Sequence, residues 1–412
     1  MKRKLFIILV LITITTFLSG CWDRKDIETR GYVLGIAIDL DSTYNTQGNE
    51  QNQDKESITE PKEKLKDMDL HTGSHKYAMT VQLPILRTSG SEAQGGSGGG
   101  GTGKKTLEIT QVGNSFMSMQ REMQSRTSLS LYYEHLQVIV ISEEIAREGI
   151  EKILDFFVRD PEMRRRVKIF VSKGEAKSVL NVEPEIEEYS SIYLASIQLN
   201  ARSNSRIIQE TDLGEVVRST HAGVDFVLPM VQIADDEIKV SAGAAFKGDK
   251  MVGWVSELEV EAIKLIRGLY LGGVITVSAP EHEQGIVIME VTSAKSKITP
   301  VINGDEVGFT IDITLKGGYA EDVNLHTHGQ LDDSFMEKLE NAYENEVQRT
   351  CLNTINRMQQ DSNADVFRFN QILQTEEPAY WKKVSEHWRT IYPYVDVNVN
   401  VDVSLQNLGL VQ

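Results

Sequence analysis

Residues 394–405, YVDVNVNVDVSL, alternate apolar and polar side chains without a break. Successive side chains on a strand point to opposite faces of a sheet, so this segment reads as a strand with one face on a core and the other in water. The rest of the second half supplies partners for it. Residues 226–234, 239–246 and 251–256 read as strands, the last two joined across Lys247-Gly-Asp-Lys250, a hairpin signal. Residues 256–269 (SELEVEAIKLIRGL) carry an amphipathic helix pattern, with Ser256 placed to cap it and Glu259 three residues on. Strand patterns at 285–301 and 307–315 flank a turn at Asn303-Gly-Asp305, and a long helix follows over 332–359. Long meandering strands beside helices imply an α+β fold with largely antiparallel sheets rather than a doubly wound one.

The first half alternates more evenly. Residues 31–40 (GYVLGIAIDL) read as a buried strand, and the polar stretch 41–75 that follows cannot bury enough apolar surface to offset its ordering entropy. Strand character resumes over 76–86, where Pro84 argues for an edge or a bulge. A second polar tract, 89–105, has the Gly/Ser composition of a flexible linker. Both tracts read as inserts in one sheet. Beyond them come a short strand (105–111), a helix (114–126), a strong strand (131–142) and a helix (143–158) with Ile145, Ile150, Ile153, Leu154 and Phe157 on one face. Arg159-Asp-Pro161 ends that helix, since proline disfavours helix in the residue before it. A strand at 167–172 and a largely helical stretch at 185–218 complete the half.

At the N-terminus Lys2, Arg3 and Lys4 precede an uncharged apolar run over 5–17. The run is shorter than the roughly 20 residues a spanning helix needs, and the order of basic, apolar and small residues describes an export signal. Leu18-Ser-Gly-Cys21 resembles the lipobox of bacterial lipoproteins. That resemblance implies cleavage before Cys21 and a diacylglyceryl thioether on its sulfur; two acyl chains anchor stably where one binds only reversibly. The three basic residues leave with the signal, taking the formal charge from −17 to −20. So acidic a body is unsuited to nucleic acid, whose readers carry basic patches, and a lipid tail explains how it stays at a membrane. Cys351 is the remaining thiol. It shares a helical face with Leu339, Tyr343, Val347 and Ile355 and reads as a small buried hydrophobe, so a hydrophobic core and no disulfide framework holds the exported body.

Several letter patterns invite a chemical reading and do not sustain it. Residues 98–105 (GGGGTGKK) lack the Ser or Thr that a phosphate-binding loop places after its lysine, and they lie in low-complexity sequence. Residues 95–99 match G-x-S-x-G only as any Gly/Ser tract would. His326 and His328 make an incomplete metal site without further ligands, His71 and His75 fall in the polar insert, and His135 reads as a structural histidine in a strand. Trp381 and Trp388 stand seven apart near Tyr380 and Tyr392, and are either core or an aromatic contact surface for a partner. No catalytic constellation, cofactor motif or metal ligand set emerges.

Taken together, several stretches resemble one family, the Ger(x)C lipoproteins of spore-forming bacteria. They are Cys21-Trp22-Asp23, Gly31, the Gly35-Ile-Ala-Ile-Asp39 strand, His135, Ala146-Arg-Glu-Gly-Ile150 and Arg159-Asp-Pro161. Gly243-Ala-Ala-Phe-Lys247, Asp249-Lys250, Val252-Gly253, Asp365, Trp381 and Trp388 continue the series in the family's order. The two polar inserts are longer than the family pattern. The resemblance implies three α+β domains, placed here at 21–205, 206–284 and 285–412 after a signal over 1–20. It also implies a lipid-anchored, non-enzymatic subunit of a nutrient germinant receptor on the outer face of the spore inner membrane. Such a subunit assembles with an A subunit and a permease-like B subunit. Trp22, Trp381 and Trp388 are the candidate partner contacts. The competing reading is a solute-binding lipoprotein of a transporter, which requires a deep cleft between two similar lobes.

Overall fold

The computed structural model describes residues 3, 29–41, 76–85, 105–209, 211–280, 285–323 and 333–406. Cys21, Trp22, nearly all of both polar inserts, His71, His75, His326 and His328 lie outside the described residues.

In chain order the strands are β1 (Arg30–Tyr32), β2 (Gly35–Leu40), β3 (Tyr77–Pro84), β4 (Thr106–Gly113), β5 (Ser130–Tyr132), β6 (Val138–Ser142) and β7 (Lys168–Ser172). They continue as β8 (Phe226–Ala234), β9 (Glu237–Lys247), β10 (Lys250–Val255), β11 (Gly273–Ser278), β12 (Ile286–Asn303), β13 (Glu306–Val323) and β14 (Asp396–Gln406). The larger sheet runs β10-β9-β8-β7-β6-β2-β3-β4, the smaller runs β11-β12-β13-β14, and β1 pairs β5 alone.

Helices cover both faces of the larger sheet. Ile139, Ile141, Ile169 and Val171 face a layer built from the helices Phe116–Met123, Glu151–Arg159 and Leu213–His221. Val138, Val140 and Phe170 face the helices Ala176–Asn181 and Ser190–Ile197 on the other side. Every residue of β6 is therefore buried. A strand covered twice needs apolar side chains at odd and even positions alike, which is why VIVIS shows no alternation.

The smaller sheet is covered on one face. The helix Asp333–Arg357 lays Leu339, Tyr343, Val347, Cys351 and Ile355 against it, meeting Val399 and Val403 of β14. Asn398, Asn400, Asp402 and Ser404 of β14 alternate with them, are exposed to water and are polar. Each fully buried aliphatic side chain contributes about 1.5–3 kcal/mol by leaving water. The helix Glu257–Ile266 joins the two sheets: Val260 and Ile263 share a cluster with Val227 and Ala245 of the larger sheet and with Ile275 and Ile311 of the smaller. Its N-terminus carries the expected capping box, with Ser256 Oγ accepting from Glu259 N and the Glu259 carboxylate accepting from Ser256 N.

The structure corrects several expectations. The sheets are mixed, not largely antiparallel: β8–β7, β7–β6, β6–β2 and β13–β14 are parallel pairs. The strand expected over 131–142 is two strands, parted at a turn closed by Leu136 N donating to Tyr133 O (3.0 Å), and His135 sits in that turn. The helix expected over 143–158 breaks at Gly149, whose φ of +127° suits glycine. A side chain there would also strike Asp249 at 2.5 Å. Pro84 marks no edge: β3 lies between β2 and β4, and the proline is its last residue. Strand β11 was not foreseen. The stretch 206–284 supplies β8, β9 and β10 to the larger sheet and β11 to the smaller, and the β7–β8 pairing carries the larger sheet across residue 205.

Candidate functional site between the two sheets

The most connected polar cluster lies where the segment after the long helix meets the larger sheet. Asp225 immediately precedes β8 and is 3% exposed. Its carboxylate accepts from both Arg389 guanidinium nitrogens, each at 2.8 Å, from Gly248 N at 3.1 Å and from Asp365 N at 2.8 Å. Gly248 reaches it because the β9–β10 turn holds that residue at φ +65°. Such a fork is the geometry arginine offers a carboxylate and lysine cannot.

Asp365 is the second carboxylate. It accepts from Phe369 N (2.9 Å), Asn370 N (2.8 Å) and Trp388 Nε1 (3.1 Å), fastening the start of the helix Phe369–Glu376. Burial raises its pKa to about 6; the donors oppose that rise and the Asp225 charge adds to it. Arg368, in the left-handed conformation at φ +66°, turns out of this segment to pair Glu215 at 3.1 Å. Arg267 lies close by, its pKa lowered to about 10 by burial first and the Arg368 charge second.

Aromatic side chains pack around the carboxylates. Trp388 is buried, and its ring meets Trp381, Phe309 and Tyr392 at centroid distances of 5.7, 6.5 and 6.1 Å. Tyr392 donates its hydroxyl to Ala364 O (3.1 Å). Trp388 therefore belongs to the core and offers no free surface, whereas Trp381 is half-buried and reaches the outside. Both line a cavity of about 200 Å³ together with Asn363, Asn370, Ser385 and Arg389.

Sequence reasoning singled out Asp365, Trp381 and Trp388 and missed Asp225, Arg389, Arg368 and Arg267. The available signal was Asp225 itself, a carboxylate opening the apolar run VDFVLPMV.

A related arrangement recurs at the carboxyl ends of β2, β6 and β7. Asp39 accepts from Ala176 N (2.6 Å) and Lys177 N (3.0 Å), pinning the helix Ala176–Asn181, and burial raises its pKa to about 6 against those donors. Ser142, Glu143, Glu144 and Glu175 line a cavity of about 250 Å³ with it. Cys351 is fully buried, and burial pushes its thiol up to about 12, which leaves it protonated and unreactive at neutral pH. Among the described residues no group of His, Cys, Asp and Glu is arranged to hold a metal ion, and no helix is long and apolar enough to cross a membrane. What the junction does chemically is hold two carboxylates away from water with their acceptor oxygens satisfied, so that the segment 363–395 stays seated on the larger sheet.

Comparison with known proteins fits this two-part build. Residues 23–233 match the family model described as the spore germination protein N-terminal domain, and residues 241–409 match the one described as spore germination B3/GerAC like, C-terminal. The chain belongs to this family of Ger(x)C spore germination proteins. It is 30% identical to spore germination protein YndF of Bacillus subtilis (strain 168) over 100% of this chain and 98% of that one. It is 24% identical to spore germination protein B3 of the same organism, over 96% and 95% of the two chains. The crystal structure of the GerBC protein shares the fold, with a TM-score of 0.56 at 21% identity, covering 80% of this chain and 94% of that one. The interval between the two matched stretches covers the β8–β9 turn and the first residues of β9. Strands β9 and β10 of the second stretch thus complete a sheet begun by the first. The Gly243-Ala-Ala-Phe-Lys247 run has a physical cause here: a Cβ on Gly243 would meet Val227 at 2.5 Å, and Ala244 and Ala245 are fully buried.

Proposed function

We propose that this chain is a lipid-anchored, non-catalytic subunit of a nutrient germinant receptor. Cys21 carries the diacylglyceryl group, the folded body lies on the outer face of the spore inner membrane, and A and B membrane subunits are its partners. The observation that carries the reading is where the family likeness begins: at Asp23, two residues after Cys21, with the matched stretches covering 23–233 and 241–409. Tethering confines the chain to the membrane plane, where modest contacts suffice to assemble a complex because the effective concentration of partners is high. Trp381, half-buried at the junction, and Trp22, beside the anchor, are the aromatic side chains assigned to those contacts.

The transporter-lipoprotein alternative needs two similar lobes about a cleft. An eight-stranded sheet covered on both faces and a four-stranded sheet covered on one are not such a pair. Deletion of the gene in a spore former whose paralogues have been removed tests the reading. Loss of germination on a defined nutrient, restored by the wild-type chain and not by Cys21→Ala, is expected. Normal germination on every nutrient tried contradicts it.

A further inference from the structure

The chain is strongly acidic, with a formal charge of −17, yet one cleft on the larger-sheet half gathers three arginines and a histidine. Arg165 and Arg166 come from the loop before β7, and Arg218 and His221 from the last turns of the helix Leu213–His221. All four are exposed, and the cleft they line encloses about 610 Å³. Among the described residues none of the three arginines has an ion-pair partner, although neighbouring Arg164 pairs with Glu134 at 3.0 Å. The acidic side chain in the cleft, Asp212, is engaged in capping the helix, accepting from Glu215 N at 2.8 Å.

Two features make the arrangement more than loose surface charge. The loop is fastened to the helix by Leu213 N donating to Val167 O (2.8 Å) and Gly214 N donating to Arg165 O (2.9 Å). Gly214 permits that approach, since a Cβ there would lie 3.2 Å from Arg165 Cβ. The backbone that carries the guanidinium groups is thus set before any ligand arrives, and less ordering entropy is lost on binding. Arg218, near the helix C-terminus, also answers the helix dipole, but Arg165 and Arg166 lie outside that helix and have no such role.

Unpaired guanidinium groups beside each other repel, and the arrangement becomes favourable when an oxyanion accepts from several at once. A carboxylate is satisfied by one fork; three forks and an imidazole match a tetrahedral anion with three or four oxygens. We infer that the cleft formed by Arg165, Arg166, Arg218 and His221 is a binding site for a phosphate group. The group is carried either by a small soluble compound or by an anionic lipid headgroup. The headgroup source rests on the membrane anchoring proposed above; the phosphate site itself does not.

The test uses the full chain purified in a non-ionic detergent. Binding of inorganic phosphate and of dihexanoylphosphatidylglycerol is measured by equilibrium titration at low and high salt, with dihexanoylphosphatidylcholine as the zwitterionic control. Saturable binding is expected, weakening as salt rises, and falling at least tenfold in Arg165→Ala/Arg218→Ala with an unchanged melting temperature. Arg218→Lys keeps the charge and loses the fork, and is expected to bind at an intermediate level. Phosphate binding without a lipid advantage assigns the soluble source; phosphatidylglycerol binding far above both other probes assigns the headgroup. Absence of saturable binding by either anionic probe, or equal binding by the double variant, overturns the site. The anchor is read separately from the mass of the N-terminal peptide, so failure of one idea is not mistaken for failure of the other.

Discussion

The two sheets solve one problem with different sequences. In the larger sheet β6 is buried at every position, because helices lie on both faces. In the smaller sheet β14 buries only Val399 and Val403 outright, because one face meets the helix Asp333–Arg357 and the other meets water. Adjacent residues in β6 belong to two different cores, while adjacent residues in β14 belong to a core and to solvent. Tolerance to substitution should therefore vary with period one in the first and period two in the second.

The largest expected effect is at Phe170, fully buried in β7 between sheet and helices. Phe170→Ala should cost about 3–5 kcal/mol in denaturant unfolding. In β6, Ile139→Ala and Val140→Ala should each cost about 2 kcal/mol or more, although the two side chains point in opposite directions. A near-neutral effect at either one of the two would break the two-faced description.

Next comes a pH effect at the junction. The Asp365 pKa is raised by burial to about 6, from 3.8 unfolded. A raised pKa means that the protonated form favours the fold. The contribution is then complete below about pH 4 and is lost as pH climbs through 6. Relative to Asp365→Asn, the wild-type chain should lose about 2 kcal/mol of stability between pH 4 and pH 7. Parallel pH curves for the two proteins would show that Asp365 does not titrate in that window. Asp39 has the same direction and the same cause in the larger sheet, so Asp39→Asn makes the matched measurement there.

Arg389→Ala follows. It leaves Asp225 buried with two backbone donors, and should cost about 2 kcal/mol. That is less than the about 3–5 kcal/mol of a fully buried pair, because the guanidinium is partly in water. Ser256→Ala removes half of the capping box on the helix that joins the sheets, for about 1 kcal/mol. At the small end, Asn398→Ala on the wet face of β14 should change stability by less than about 0.5 kcal/mol.

What the sequence disclosed was local and periodic. The alternation of residues 394–405, the capping box at Ser256 and Glu259, the hairpin at Gly248 and the buried face carrying Cys351 each depend on neighbours within a turn or two. What it concealed was long-range. Asp225 and Arg389 are 164 residues apart, and neither announces the other. Parallel pairing was hidden for the same reason: a strand's own pattern records which faces are covered and not which way its neighbour runs. Gly149 shows a third kind of miss, since the apolar pattern continues across it while the backbone breaks at its φ of +127°, with Asp249 packed where a side chain would stand. The junction was half legible, with Asp365, Trp381 and Trp388 visible and their charged partners not.

All of this describes a folded body; its place in the cell turns on residue 21. The direct measurement is the mass of the N-terminal peptide of the chain recovered from spore membranes. The account predicts a peptide that begins at Cys21 and carries a diacylglyceryl group on sulfur. A peptide beginning elsewhere, or at an unmodified Cys21, would contradict it.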